Sequence, residues 1–275
     1  MISIKKRFGV RMMKKKVVSI QFAVKLADLE YNQNKVRELI KQAWDNHKPD
    51  IVLLPETWNL GFFPENVREL AEDYQNSSSV KLINELVKKY QINIIAGSII
   101  IKENELIRNR SISFNRNGDL IHSHDKGHLF SPSQENAEFT KGIENQSFFI
   151  DGIKAAHIIC YDLRFPEYAR RLALDGAKIL FVSAEWPHPR QNHWQILNKA
   201  RAVENQMYLV SANGSGTANG LDFCGHSAVI NPWGETITES GEEKEVLLFA
   251  EIDIEEVDEI RKKIPVFNDR NLNLY

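Results

Sequence analysis

HIICYDLRFPE, residues 157–167, joins an apolar run to a charged, proline-punctuated stretch through a thiol. His157, Ile158 and Ile159 close a segment, residues 154–159, that reads as a buried strand. Pro166 suits the first position of a helix over residues 166–175, and Gly176 suits its stop. Strand, tight turn and helix in succession are the units of an α/β fold. They place Cys160 at the carboxyl end of a strand, where open α/β sheets form their sites.

The same alternation extends in both directions. Residues 17–22 read as a strand and 34–46 as a helix, with Val36, Leu39, Ile40 and Ala43 on one face. Residues 51–54 read as a buried strand ending at Pro55. A helix over 79–90 and an Ile-rich strand over 92–101 follow. Asn117-Gly118 and Asp151-Gly152 each sit between strand-like runs and predict hairpins. Beyond the thiol, 178–184 reads as a strand, 191–205 as a helix, 207–212 as a strand. Residues 223–230 and 245–252 read as strands separated by the turn Asn231-Pro232-Trp233-Gly234. Asp253 with Glu256 resembles a capping box for a last helix over 254–263, ended by Pro265. No linker, repeat or low-complexity tract interrupts the pattern, which suits one α/β domain with mixed parallel and antiparallel sheets.

A net charge of −2 gives no overall basic field of the kind that draws nucleic acid. The charge is uneven: residues 1–16 carry seven Lys and Arg and no acid, leaving the rest at −9. Such a segment can be a membrane-surface or nucleic-acid arm. We read it as a solvated, poorly ordered leader, upstream in part of a start at Met12 or Met13, with the domain over 17–275. No apolar core follows the basic run, as a secretory signal requires. No stretch approaches the ~18 apolar residues of a membrane span. Two cysteines, Cys160 and Cys224, make no disulfide framework, so both are expected as reduced thiols in the cytoplasm.

Three residues carry the chemistry. Backbone N–H groups in the turn after Cys160 favour an anion and are expected to lower its thiol pKa from the free value of ~8.5. A thiolate there can attack a carbonyl, with the Tyr161 N–H pointing at the developing oxyanion. The alternative is a buried structural cysteine. His157 lies in the same strand, too close in sequence to reach around as a base. Glu56, after Ile-Val-Leu-Leu-Pro, is a carboxylate at another strand's carboxyl edge and a better candidate. Lys126, in HDKGHLF (124–130), can hold a thiolate and stabilise an oxyanion. Taken singly, Glu56 reads as a loop acid and Lys126 as a surface lysine.

Together, LLPETW, DKGHLF and IICYDLRFPE, in that order and 70 and 34 residues apart, resemble the nitrilase superfamily of carbon–nitrogen hydrolases. The likeness runs from about Val17 to Tyr275. It implies a four-layer α-β-β-α sandwich and a Glu56–Lys126–Cys160 triad working through a thioester, without cofactor or metal. It also implies a second glutamate between Lys126 and Cys160. Counting back seven residues from Gly142 gives Glu135, with Glu138 as the competitor. Gly127 departs from the family, which favours an apolar or β-branched residue there. EWPHPR (185–190), His193-Trp194, RAVENQ (201–206), CGHS (224–227) and NPWG (231–234) are similar to the bacterial omega-amidase branch. That branch hydrolyses 2-oxoglutaramate to 2-oxoglutarate and ammonia.

A small acidic amide needs arginine or backbone N–H groups for its carboxylate. Arg164 and Arg190 are candidates, with Trp186 as an apolar wall. Arg164 can instead pair with Asp162 or Glu167 to hold the turn, and Arg201 with Glu204 can be a packing network. His122, His124 and His128, or Cys224 with His226, lack the paired spacing of a zinc site. A related amidase acting on deaminated glutathione or an N-carbamoyl compound is the alternative enzyme. A non-catalytic binding module would require the triad to be accidental. The resemblance further implies a homodimer built on the helices after Cys160 and the C-terminal segment.

Overall fold

The computed structural model describes residues 13–274. The chain runs β1 (Lys14–Phe22), α1 (Leu29–His47), β2 (Ile51–Leu53), α2 (Val67–Leu70), β3 (Glu72–Asp73), α3 (Ser78–Tyr90), β4 (Asn93–Glu103), β5 (Leu106–Phe114) and β6 (Leu120–Asp125). The one-turn α4 (Glu135–Glu138) leads to β7 (Phe148–Ile150), β8 (Ile153–Ile159), α5 (Pro166–Leu174), β9 (Ile179–Ala184), α6 (Gln191–Asn205) and β10 (Tyr208–Asn213). The hairpin β11 (Ser215–Ala218) and β12 (Leu221–Cys224) precedes β13 (Ala228–Ile230), β14 (Thr236–Glu239), β15 (Glu245–Asp253) and α7 (Glu255–Lys263).

Two large sheets form among the described residues, in the orders β15-β1-β2-β4-β5-β6 and β14-β13-β10-β9-β8-β7, with β3 added beside β4 and β11-β12 a separate two-stranded sheet. The period-2 pattern of β1 shows how they stack. Val18, Ile20 and Phe22 share a core with Val36 and Leu39 of α1 and Ile83 and Val87 of α3. Val17 faces the other way and joins Ile51, Leu53, Phe181 and Val210 between the sheets. Leu172 of α5 and Trp194 of α6 cover the far face of the second sheet, against Ile158 and Leu209. Each such side chain contributes about 1.5–3 kcal/mol by leaving water. The layers therefore run helix, sheet, sheet, helix, as expected. No helix among the described residues is long and apolar enough to cross a membrane.

Several boundaries differ from the sequence reading. β1 begins at Lys14, so Lys14 to Lys16, placed above in the leader, are strand residues paired with Asp253 to Glu251. The rest of the leader, residues 1–12, lies outside the described residues. α1 starts at Leu29 because Asp28 caps it, accepting from the Tyr31 N–H at 3.1 Å. Residues 223–230 are not one strand. Gly225 and His226 have φ of +62° and +51°, which ends β12 and starts β13 in another sheet. A Cβ on Gly225 would lie 2.5 Å from the Gly241 oxygen, so the crossing needs glycine. The capping box at α7 does not form: Asp253 accepts from Glu255 N–H, and Glu256 takes the Tyr208 hydroxyl.

Three histidines sit between the sheets. His157 bridges Ser111 and Ser183 through its two ring nitrogens, at 2.5 and 2.9 Å. His122 lies 3.1 Å from His124, whose Nε2 is buried without a partner. Burial keeps all three neutral, pushing His157 down to about 3, His122 to about 4 and His124 well below its usual range. In the unfolded chain they take up protons near pH ~6.5. Below that pH the unfolded state binds more protons than the native one. Their stabilisation is thus complete above about pH 6.5 and is lost as pH falls toward about 4. The urea midpoint is expected to drop between about pH 6.5 and pH 5, and His124→Leu to flatten that slope. A midpoint constant over this interval would mean that the rings are not neutral in the fold.

Candidate active site

Glu56, Lys126 and Cys160 each follow a strand end, and the fold brings those ends together. Glu56 lies just beyond β2. Gly97 lets its segment approach β4: a Cβ there would stand 1.9 Å from the Pro55 oxygen. The buried Trp58 then anchors the turn, donating from Nε1 to Ala96 O at 2.7 Å. Lys126 follows β6, with its N–H on Asn109 O at 2.9 Å and its carbonyl taking Gly142 N–H at 2.8 Å. Cys160 follows β8 with φ of +46°, a left-handed conformation costly for a residue with a Cβ. Asp162 holds that turn. It accepts from the Ile159 N–H at 3.1 Å and from the His128 N–H at 2.8 Å, tying the cysteine's turn to the lysine's loop. Arg201 supports the same turn, donating to Leu163 O at 3.0 Å while pairing with Glu204.

Lys126 Nζ stands 2.9 Å from Glu56 Oε1 and 3.0 Å from both oxygens of Glu135. All three side chains are 1% exposed. Glu138 instead pairs with Arg68 at the surface, at 2.8 Å. Glu56 also accepts from Asn109 Nδ2 at 2.8 Å and from the Glu185 backbone N–H at 2.9 Å.

The electrostatics correct one expectation. Burial pushes the Cys160 thiol well above its ordinary range, the Glu56 charge adds to this, and only the Lys126 ammonium opposes it. The turn's N–H groups do not outweigh desolvation beside a carboxylate, so the resting site holds a thiol. Burial disfavours the Lys126 ammonium, but Glu135 and Glu56 outweigh it and hold Lys126 well above its ordinary range. Glu135 is raised by burial and by Glu56, against the pull of Lys126.

A cleft opens above this cluster. Cys160, Lys126 and Glu185 lie at its base, with Phe62, Phe130, Tyr161, Trp186 and Pro187 as walls. Arg164 and Arg190 line it too. The Arg164 guanidinium lies 4.7 Å over the Trp186 ring, and that of Arg190 5.3 Å from the Phe130 ring. Arg164 does not pair with Asp162 or Glu167. Its polar neighbour is His193 Nδ1 at 3.3 Å. Neither arginine has a carboxylate within ion-pair distance among the described residues.

A sequence profile of the carbon–nitrogen hydrolases matches residues 16–262. The chain belongs to the carbon–nitrogen hydrolase family. This hydrolase is 36% identical to the 2-oxoglutaramate amidase of Bacillus subtilis, over 96% of its own length and 100% of the relative's. It is 37% identical to the hydrolase in the agr operon of Staphylococcus aureus, over 94% and 99%. A CN-hydrolase superfamily protein from Xanthomonas campestris, with an arsenic adduct in its active site, shares the fold. The TM-score is 0.87 at 26% identity, covering 94% of this chain and 98% of that one. Nit3 of Saccharomyces cerevisiae, a member of branch 10 of the nitrilase superfamily, also gives 0.87, at 28% identity over 94% and 97%.

Two residues of this carbon–nitrogen hydrolase's site were not singled out from sequence. Asn109 is a buried amide inside β5, flanked by two arginines, and a polar residue on a buried strand face was the available signal. Glu185 follows β9, whose residues are all buried, and an acid at that carboxyl edge repeats the logic of Glu56.

Proposed function

We propose that this carbon–nitrogen hydrolase cleaves the ω-amide of 2-oxoglutaramate, giving 2-oxoglutarate and ammonia. The single observation behind the acidic substrate is the pair of arginines without acid partners, in a cleft whose base is Cys160. The activity of the Bacillus subtilis relative supports the same choice. Glu56 takes the thiol proton as Cys160 Sγ attacks the amide carbon. Lys126 Nζ and the Tyr161 N–H stabilise the oxyanion, and Glu135 keeps Lys126 in place. Collapse breaks the C–N bond, Glu56 returns the proton to the leaving ammonia, and a thioester remains. Glu56 then activates water, which releases the acid and restores the thiol.

Ammonia release from 2-oxoglutaramate, beside deaminated glutathione and an N-carbamoyl amino acid, tests the substrate. Arg164→Leu and Arg190→Leu are each expected to raise KM for 2-oxoglutaramate about tenfold or more, leaving a short neutral amide unaffected, because a charged hydrogen bond contributes about 1.5–3 kcal/mol. Turnover of the glutathione derivative alone would move the assignment to that branch. We also infer a homodimer in the cytoplasm. Ile196 and Val203, exposed on α6, and two buried unpaired cysteines support this. A light-scattering mass of one 31.7 kDa chain would contradict the dimer.

A further inference from the structure

Glu185 has no role in the steps above beyond its backbone N–H, yet its carboxyl group lies in the cleft beside Cys160 and Lys126. The residue is 1% exposed. Oε2 accepts from the Thr57 hydroxyl at 2.7 Å. Oε1 has no hydrogen bond among the described residues. Gly214 forms the shelf behind it: a Cβ there would come within 3.2 Å of Glu185 Cγ and 3.5 Å of Oε1. No cation among the described residues lies within ion-pair distance of the group. The Lys126 ammonium contacts Glu56 and Glu135 instead.

A buried carboxylate with no cation, next to a second carboxylate, is costly to ionise. Burial and the Glu56 charge push Glu185 well above the usual carboxylate range, against Thr57 and Lys126. With Oε2 accepting from Thr57, the proton belongs on Oε1. In a cleft whose base holds Cys160 and whose lining carries Arg164 and Arg190, a chain joining amide to carboxylate passes this oxygen. We infer that Glu185 determines specificity by meeting the substrate as a neutral carboxylic acid, donating from Oε1 to an oxygen on the acyl chain. Resting on the omega-amide reading, that oxygen is the 2-oxo group. A donor placed for an oxygen discriminates against the analogue that lacks it, because binding then leaves the donor unpaired.

The test compares kcat/KM for 2-oxoglutaramate and for glutaramate, which has a methylene in place of the 2-oxo carbon, in wild type, Glu185→Gln and Glu185→Leu. Wild type is expected to prefer 2-oxoglutaramate. The glutamine amide still donates, so Glu185→Gln keeps the preference within a factor of about three. Glu185→Leu lowers the preference about tenfold or more. A carboxylic-acid carbonyl band is expected in the infrared difference between substrate-free wild type and Glu185→Gln at neutral pH. Equal losses on both substrates in Glu185→Leu would overturn the inference, leaving Glu185 as support for Glu56 alone. Absence of the acid band would overturn it whether or not the leucine variant folds. Failure of the omega-amide reading shows elsewhere, in wild type itself, as no ammonia from either substrate while another amide is hydrolysed. That result removes the 2-oxo assignment too.

Discussion

Cys160→Ala is expected to lower ammonia release by about 10⁴-fold or more while leaving the fold intact. Alanine has no atom that can form the thioester. The substitution removes one sulfur from a residue that is 7% exposed, so the cavity it leaves is small. The φ of +46° strains alanine no more than cysteine, and the turn is held by Asp162 and Arg201 rather than by the thiol. The melting temperature should therefore move by only a few degrees, about 1 kcal/mol. The thiol's own titration gives a second readout. Burial and Glu56 raise it and Lys126 opposes them, so the free enzyme is expected to react slowly with iodoacetamide at neutral pH and faster as pH rises. A rate already maximal at about pH 6 would mean that Lys126 holds a standing thiolate, with no proton for Glu56 to remove. Turnover surviving in the alanine variant would take the nucleophile's role from Cys160.

What the sequence made legible was local. The run into Cys160, with Pro166 and Gly176 bracketing the helix after it, located α5 within one residue at its end. Asn117-Gly118 and Asp151-Gly152 marked two real hairpins. Strand breaks fixed by distant atoms were not legible. Gly225 turns where it does because Gly241 and Gln21 crowd it, and those lie 16 and 204 residues away. β14 was missed because Thr236 to Glu239 is a short, half-exposed strand with no apolar run. The charge state of Cys160 was misread for a related reason. The turn's dipoles are visible in HIICYDLRFPE, whereas the desolvating walls and the Glu56 carboxylate come from other strands. Glu185 and Glu56, 129 residues apart, meet through a backbone N–H that carries no side-chain signature.

Lys126→Met should remove activity and stability together, and the pH dependence of the stability loss identifies the cause. Methionine fills much the same space and removes the ammonium. Without it the oxyanion loses its charged donor, and kcat is expected to fall about 10³-fold or more. The fold loses the cation between Glu56 and Glu135, each 1% exposed. Removing one partner of a buried ion pair costs about 3–5 kcal/mol. The carboxyl pair can limit that cost by binding a proton, and Glu135 is already raised by burial and by Glu56. A carboxyl whose native pKa lies above its unfolded value of ~4.3 binds more protons in the native state, so its stability falls as pH rises. The variant's shortfall against wild type is therefore expected to be small near about pH 5 and to widen toward about pH 8. Chemical denaturation at both pH values measures it. A shortfall independent of pH would mean that Lys126 supports the fold by packing alone. Retained turnover would remove its ammonium from the oxyanion and leave the Tyr161 N–H to act without it.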